Sequence, residues 1–226
     1  TGLTQLIGGP LPAWMVSASV AANFLLIVPI LAVALNWLLT AAGHYQKVFQ
    51  NVTLRFVLFG AVSYLLATMV GVVLGVPEVS RTTHFTYVEV ARVWLGLLGF
   101  IMMVLLGSLY YIVPRLLGFD WPSAKCVRWH FWCSAAGIGL IVIALTVGGL
   151  IQGVRMNLGT TDFITLGKLT IPFVGLSTLG LMLVLAGQCF FAANFLALAR
   201  RYAEPFQKAV FAGFRGNGER PGRRRS

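Results

Sequence analysis

The sequence has 226 residues, of which 58% are hydrophobic and only 10% are charged, and its mean hydropathy is +0.85. A soluble domain of this size could not bury so much apolar surface, so the composition excludes a soluble globular protein and indicates an integral membrane protein. The formal net charge is +11, but eight of the 17 Lys and Arg residues lie within 200–226, which favours a cytoplasmic basic tail over a nucleic-acid-binding surface.

Five apolar segments are each long enough to cross a bilayer as a helix. Apolar residues cover each segment nearly all round, which is typical of helices in a bundle rather than of amphipathic helices on a membrane surface. The predicted spans are approximately 13–41, 55–76, 90–117, 127–152 and 172–199. We therefore expect an all-α integral membrane protein with one five-helix transmembrane domain, 1–200, and a basic tail, 201–226.

The distribution of Lys and Arg predicts the orientation of these spans. If the basic tail is cytoplasmic, 13 of the 17 basic residues fall inside, three fall outside, and Arg92 lies near the outer membrane boundary. This asymmetry follows the positive-inside rule and places the N-terminus outside. The chain begins at Thr1 without a methionine, so we expect a processed product or part of a longer polypeptide.

Few residues offer metal-binding chemistry. His44 and His130 lie at the predicted inner ends of the first and fourth spans, where they could bracket a heme, whereas His84 lies on the outer side. Interfacial hydrogen bonding is the more ordinary role for such histidines. The three cysteines show no metal-ligand spacing and the six carboxylates are scattered singly, so we predict no metal site from spacing.

The polar residues inside the spans predict packing rather than transport. No Asp or Glu lies in the middle of a span, which argues against a proton-coupled transporter. The sequence also contains no hydrolase or nucleotide-binding motif. We expect interhelical hydrogen bonds from the intramembrane polar residues, which are Asn23, Ser63, Thr68, Thr146, Gln188 and Asn194.

One long stretch carries a family resemblance. Residues 84–121 read HFTYVEVARVWLGLLGFIMMVLLGSLYYIVPRLLGFDW. This stretch resembles the tenth transmembrane helix of the catalytic subunit I of cbb-type cytochrome c oxidases, the C-family heme-copper oxidases. The match continues through RWHFW at 128–132 and backward through 1–37, covering nearly all of 1–200 in order. It implies helices eight to twelve of a heme-copper-oxidase-like bundle, in a bacterial inner (cytoplasmic) membrane.

The resemblance also shows where the metal ligands of the family would fall. The tenth helix of the family supplies two heme-binding histidines in an HxH pattern, and these positions are Arg92 and Trp94 here. A guanidinium group stays protonated and an indole nitrogen only donates, so neither can bind iron axially. The paired copper-binding histidines correspond to Thr4 and Gln5, which cannot hold copper in the usual way. The resemblance thus implies no catalytic residue, metal or cofactor in this chain alone, and heme in partner subunits.

Two functions remain open. The first is a non-catalytic, heme-copper-oxidase-like membrane subunit, a pseudo-enzyme that acts as a scaffold or anchor among the membrane and cytochrome subunits of a respiratory complex. The alternative is the C-terminal part of a catalytic cbb-type oxidase or nitric oxide reductase subunit, taking part in electron transport to oxygen or nitric oxide. In the first case Arg92, Trp94 and Glu89 are candidate contacts for lipid, quinone or a partner. Snorkelling of Arg92 to the membrane surface is the simpler alternative.

Overall fold

The computed structural model describes residues 12–218, and for Tyr45, Lys47, Val48 and 205–218 it describes the backbone only. Regular structure in this range is entirely helical. The elements are α1 (Ala13–Leu25), α2 (Ile27–Ala41), α3 (Tyr45–Gln50), α4 (Val52–Leu74), α5 (Pro77–Thr83), α6 (Tyr87–Trp94), a π-helical segment (Leu95–Met102), α7 (Met103–Leu117), α8 (Ala124–Leu158) and α9 (Phe163–Gly218).

Five helical stretches within the described residues are long and apolar enough to cross a membrane, which confirms the predicted all-α membrane fold and its number of spans. They are Ala13–Ala41, Val52–Leu74, Tyr87–Leu117, Ala124–Leu158 and Phe163–Glu204. Helical structure thus continues past several of the predicted ends, because a helix stops where its terminal groups are capped rather than where hydropathy falls. The outside N-terminus and the cytoplasmic tail stay predictions.

The first span is divided where a proline removes a hydrogen bond. Helices α1 and α2 meet at Leu26, and Pro29 follows in the first turn of α2. Proline has no N–H to offer the carbonyl group of Leu25, so the helix loses one bond at this point. The division leaves α1 and α2 as consecutive halves of one membrane span.

Helix α8 lies at the centre of the bundle. In its apolar part 44% of the residues are buried, compared with 17% in the first span. Glycine sets its distance from α9: a Cβ atom built on Gly137 would lie 2.6 Å from the Gly180 carbonyl oxygen, and one built on Gly180 would lie 2.7 Å from the Gly137 oxygen. Because glycine occupies the crossing point on both α8 and α9, their backbones come into direct contact there. Small residues at helix crossings allow this close packing in lipid.

A second pair of glycines on α8 sets its distance from α5 and α6. A Cβ atom built on Gly149 would overlap the backbone of Val88, and one built on Gly153 would overlap the carbonyl oxygen of Thr82. Both glycines therefore allow an approach that no other residue permits. This contact holds the start of α6, the helix that carries Arg92 and Trp94, against the central helix.

Candidate functional site

Arg92 and Glu89, two of the residues predicted as contacts, form an ion pair on α6. The Nε atom of Arg92 donates to Oε2 of Glu89 at 3.0 Å, and the two side chains are 26% and 33% exposed. The guanidinium group also lies over α4, because a Cβ atom built on Gly71 would be 3.4 Å from Nη1 of Arg92. Arg92 thus extends from α6 across the surface of α4.

The ion pair lines a cleft of about 510 Å³ formed by α1, α4, α6 and the π-helical segment. Along the span the lining changes from polar to apolar. The polar part contains Ser80, His84, Glu89 and Arg92, and the mainly apolar part contains Tyr64, Ala67, Thr68, Leu97, Phe100 and Ile101. The cleft therefore has a polar end, near Glu89 and Arg92, and a mainly apolar end further along the span.

Trp94 faces a different part of the molecule from Arg92. Residues two apart on an α-helix lie about 200° apart around its axis. Trp94 is partly buried and packs against the hydrophobic core of the bundle, which includes Leu95, Met103 and Ile138. Its indole ring therefore fills interior volume, whereas Arg92 lines the cleft.

Arg92 and Trp94, which the resemblance predicts at the heme-ligand positions of the family, do not fit a heme iron. The Arg92 guanidinium has no free lone pair and is engaged with Glu89, and the Trp94 indole offers only an N–H group. No three His, Cys, Asp or Glu side chains within the described part of the chain come together as metal ligands. Thr4 and Gln5, which the resemblance predicts at the copper-ligand positions, lie outside the described residues.

His130 is completely buried in α8 and shares a hydrogen bond with Tyr110 of α7, with 2.8 Å between His130 Nδ1 and Tyr110 Oη. Aromatic rings surround its imidazole: the ring centres of Phe56, Phe191 and Tyr110 lie 5.2, 5.6 and 5.7 Å away. The backbone carbonyl of Tyr110 in turn accepts the indole N–H of Trp121 at 3.0 Å. His130 is thus a core residue held by a side chain of the neighbouring span.

The other edge of the His130 ring is closed by α9. Its Nε2 atom and the Oγ atom of Ser134, one turn further along α8, are buried without a hydrogen-bond partner. A Cβ atom built on Gly187 would lie 2.8 Å from Ser134 Oγ and 3.3 Å from His130 Cδ2. A porphyrin could therefore reach Nε2 only if α9 moved away from α8.

The structure does not bring His44 and His130 together. His44 is exposed, and its Nδ1 atom lies 3.2 Å from the carbonyl oxygen of Ala42. Its side chain lines a separate groove of about 330 Å³ with Trp37 and Leu58. No ring contact or hydrogen bond joins the two histidines among the residues that the structure describes. The geometry gives no support to a heme bracketed by this pair.

Sequence reasoning missed the contact that joins the connection between α7 and α8 to α9. Asn194 was predicted only to hydrogen-bond between helices, and it does so with both of its amide atoms. Its Oδ1 accepts the backbone N–H of Ser123 at 3.0 Å, and its Nδ2 donates to the Ser123 carbonyl at 3.1 Å. A buried asparagine in an apolar run was the available signal, but nothing in the sequence indicated its partner.

A bundle of five apolar helices defines a multi-pass membrane protein, and the comparison with known proteins identifies its family. The family model for cytochrome c and quinol oxidase polypeptide I matches residues 5–183, and the chain belongs to this family. This match and the cbb3-type relative described next together confirm the predicted likeness to subunit I of cbb-type oxidases.

Curated relatives match over most of this chain. It is 28% identical over 193 residues to the cbb3-type cytochrome c oxidase subunit CcoN1 of Stutzerimonas stutzeri, covering 84% of this chain and 40% of that protein. It is 28% identical over 198 residues to a cytochrome c oxidase subunit 1 homolog of Azorhizobium caulinodans, covering 84% of this chain and 36% of the relative. The chain spans less than half the length of these relatives. Their bacterial sources agree with a multi-pass bacterial membrane protein.

Proposed function

We propose that this chain is a non-catalytic, subunit-I-like membrane component that acts as a scaffold or anchor within a respiratory or electron-transfer complex. The ion pair between Arg92 and Glu89 is the observation that carries the proposal. By the family resemblance, Arg92 stands where a histidine would bind heme. A guanidinium group paired with a carboxylate cannot replace that histidine, because it has no electron pair to donate to iron.

The weak packing of the first span supports a role within a complex. Only 17% of its apolar part is buried, although Ser19 and Asn23 are buried polar residues on α1. The Oγ atom of Ser19 has no hydrogen-bond partner. Most of the surface of this span is left uncovered by the rest of the chain, so further membrane helices of a partner are expected to pack at this edge.

A pyridine hemochrome assay on the purified chain tests the non-catalytic role. We expect no stoichiometric heme in the natural protein, and stoichiometric heme would overturn the proposal. Native mass spectrometry in detergent tests the scaffold role separately. It should show the chain bound to other membrane or cytochrome subunits, and a stable lone monomer would contradict a scaffold.

The length of the matched relatives supports a second candidate function. Because the chain corresponds to 40% of one curated subunit and 36% of another, it could supply part of a catalytic oxidase or nitric oxide reductase subunit. Heme and copper that co-purify with this chain, and not only with the other subunits, would establish this alternative. Metal analysis of the separated subunits distinguishes the two functions.

A further inference from the structure

We propose that the cleft beside Arg92 binds a zwitterionic phospholipid that carries an ammonium group, of the phosphatidylethanolamine type. The phosphate would accept hydrogen bonds from Arg92, the ammonium group would donate to Glu89, and one acyl chain would follow the apolar part of the cleft. This inference rests on the proposed function, in which Arg92 binds no heme. It names the class of lipid that Arg92 and Glu89, predicted from the sequence as candidate lipid contacts, would bind.

The ion pair leaves hydrogen-bonding groups for a ligand. Within the described residues, the hydrogen bond of the Arg92 side chain runs from Nε to Oε2 of Glu89. The Nη groups of Arg92 and the Oε1 atom of Glu89 therefore have capacity for further bonds. Both side chains are partly exposed at the cleft, so a headgroup can reach them without moving a helix.

The charges of the lining select the kind of headgroup. Among the described lining residues, Arg92 is positively charged and Glu89 is negatively charged. The imidazole side chain of His84 also lines this part of the cleft. A zwitterion satisfies both charges, because its phosphate faces the guanidinium and its ammonium faces the carboxylate. A purely anionic headgroup would satisfy Arg92 but would also approach the like charge of Glu89.

The remainder of the cleft suits a hydrocarbon chain. Beyond Arg92 its lining is mainly apolar and aromatic, and the rings of Tyr64 and Phe100 lie 4.9 Å apart at their centres. The hydroxyl group of Thr68, which also lines this part, donates to the Tyr64 carbonyl within α4. Gly96 also lines the cleft, and a Cβ atom built on it would meet no atom within 4 Å. A volume of about 510 Å³ is within the range of small-molecule sites and accommodates a headgroup with part of one chain.

The test is native mass spectrometry of the full chain, purified with its accompanying subunits, delipidated and then titrated with phosphatidylethanolamine or phosphatidylglycerol in mixed micelles. The natural protein should retain phosphatidylethanolamine preferentially. Arg92→Gln and Glu89→Gln should each weaken its binding by about tenfold, because each removes one charge-assisted hydrogen bond. Glu89→Gln should also strengthen binding of phosphatidylglycerol, because the repelling carboxylate is gone.

A substitution that fills the cleft provides an independent test. Gly96→Leu should abolish retention of the lipid, since a Cβ atom at this position meets no atom within 4 Å and the rest of the leucine side chain would occupy the cleft that Gly96 lines. Gly167→Leu is the matched control on α9: a Cβ atom there also meets no atom within 4 Å, but Gly167 does not line the cleft. It should leave lipid retention unchanged.

Two results would overturn the inference. Tighter retention of phosphatidylglycerol than of phosphatidylethanolamine by the natural protein would show an anionic-lipid site. Equal retention of both lipids, unchanged in Gly96→Leu, would show only the general lipid surroundings of a membrane protein. A hemochrome assay on the same sample separates the proposals: heme refutes the proposed function, whereas absence of both heme and retained lipid refutes this inference alone.

Discussion

Tyr110 and His130 join the third and fourth spans through a hydrogen bond of 2.8 Å that lies entirely within the protein interior. The contact places two polar groups among the rings of Phe56, Phe191 and Trp121. Because no water reaches His130, each of these groups depends on the other for its partner. The pair therefore specifies how α7 and α8 align.

Substitution of Tyr110 by phenylalanine should destabilise the protein. It keeps the ring contacts but leaves Nδ1 of His130 buried and unpaired, at a cost of about 1–2 kcal/mol in the free energy of unfolding. Equilibrium unfolding in detergent micelles measures this change. Tyr111→Phe is the matched control, because Tyr111 is 52% exposed. Equal effects of the two substitutions would contradict a structural role for the hydrogen bond.

Gly153→Ala should separate α8 from α5. The new methyl group would overlap the carbonyl oxygen of Thr82, so backbone atoms must move, and overpacking of this kind costs about 1–3 kcal/mol. Thermal unfolding followed by circular dichroism should show a lower Tm. Gly139→Ala is the control, because a Cβ atom there meets nothing within 4 Å and alanine favours a helix. A Tm of Gly153→Ala at or above that of the natural protein would refute the close contact.

Asn194→Leu should loosen the connection between α7 and α8. The substitution removes both hydrogen bonds to the backbone of Ser123, whose side chain in turn caps α8 by accepting the N–H of Cys126 at 3.3 Å. We expect faster hydrogen–deuterium exchange in residues 118–126. Asn36→Leu, at an exposed position of α2, should leave exchange in this segment unchanged. Unaltered exchange in Asn194→Leu would show that the connection is held by other contacts.

The start of α9 should depend on pH through Asp162. Hydrogen bonds from the side chain and backbone of Thr165 lower the pKa of the Asp162 carboxyl group. A carboxyl group whose pKa is lower in the folded protein contributes stability above its unfolded pKa and loses that contribution as the pH falls through its folded pKa. An NMR titration should therefore give a lower pKa for Asp162 than in a peptide of residues 158–166. Thr165→Val should raise that pKa, and an unchanged pKa would show that the Thr165 hydroxyl does not stabilise the carboxylate.

The sequence allowed the spans to be counted because each is a long apolar run, but it did not specify where the helices end. Asp162 and Ser123 set the starts of α9 and α8 through single hydrogen bonds to backbone N–H groups, which hydropathy does not register. The pairing of Glu89 with Arg92 follows from their spacing of three residues on a helix. The pairing of Tyr110 with His130 depends on the packing of two spans, so their separate positions in the sequence could not reveal it.

The π-helical segment at Leu95–Met102 has a consequence for the whole third span. A π-helix closes its hydrogen bonds over one residue more than an α-helix, so it changes the phase of every side chain that follows. If the same residues wound as a regular α-helix, Tyr110 would turn about 100° away from α8, whereas deletion of a single residue in this segment would restore α-helical winding and keep Tyr110 facing α8. The third span can consequently hold one residue more than an uninterrupted α-helix of the same rise, while the parts before and after the segment still present their packed faces to α8.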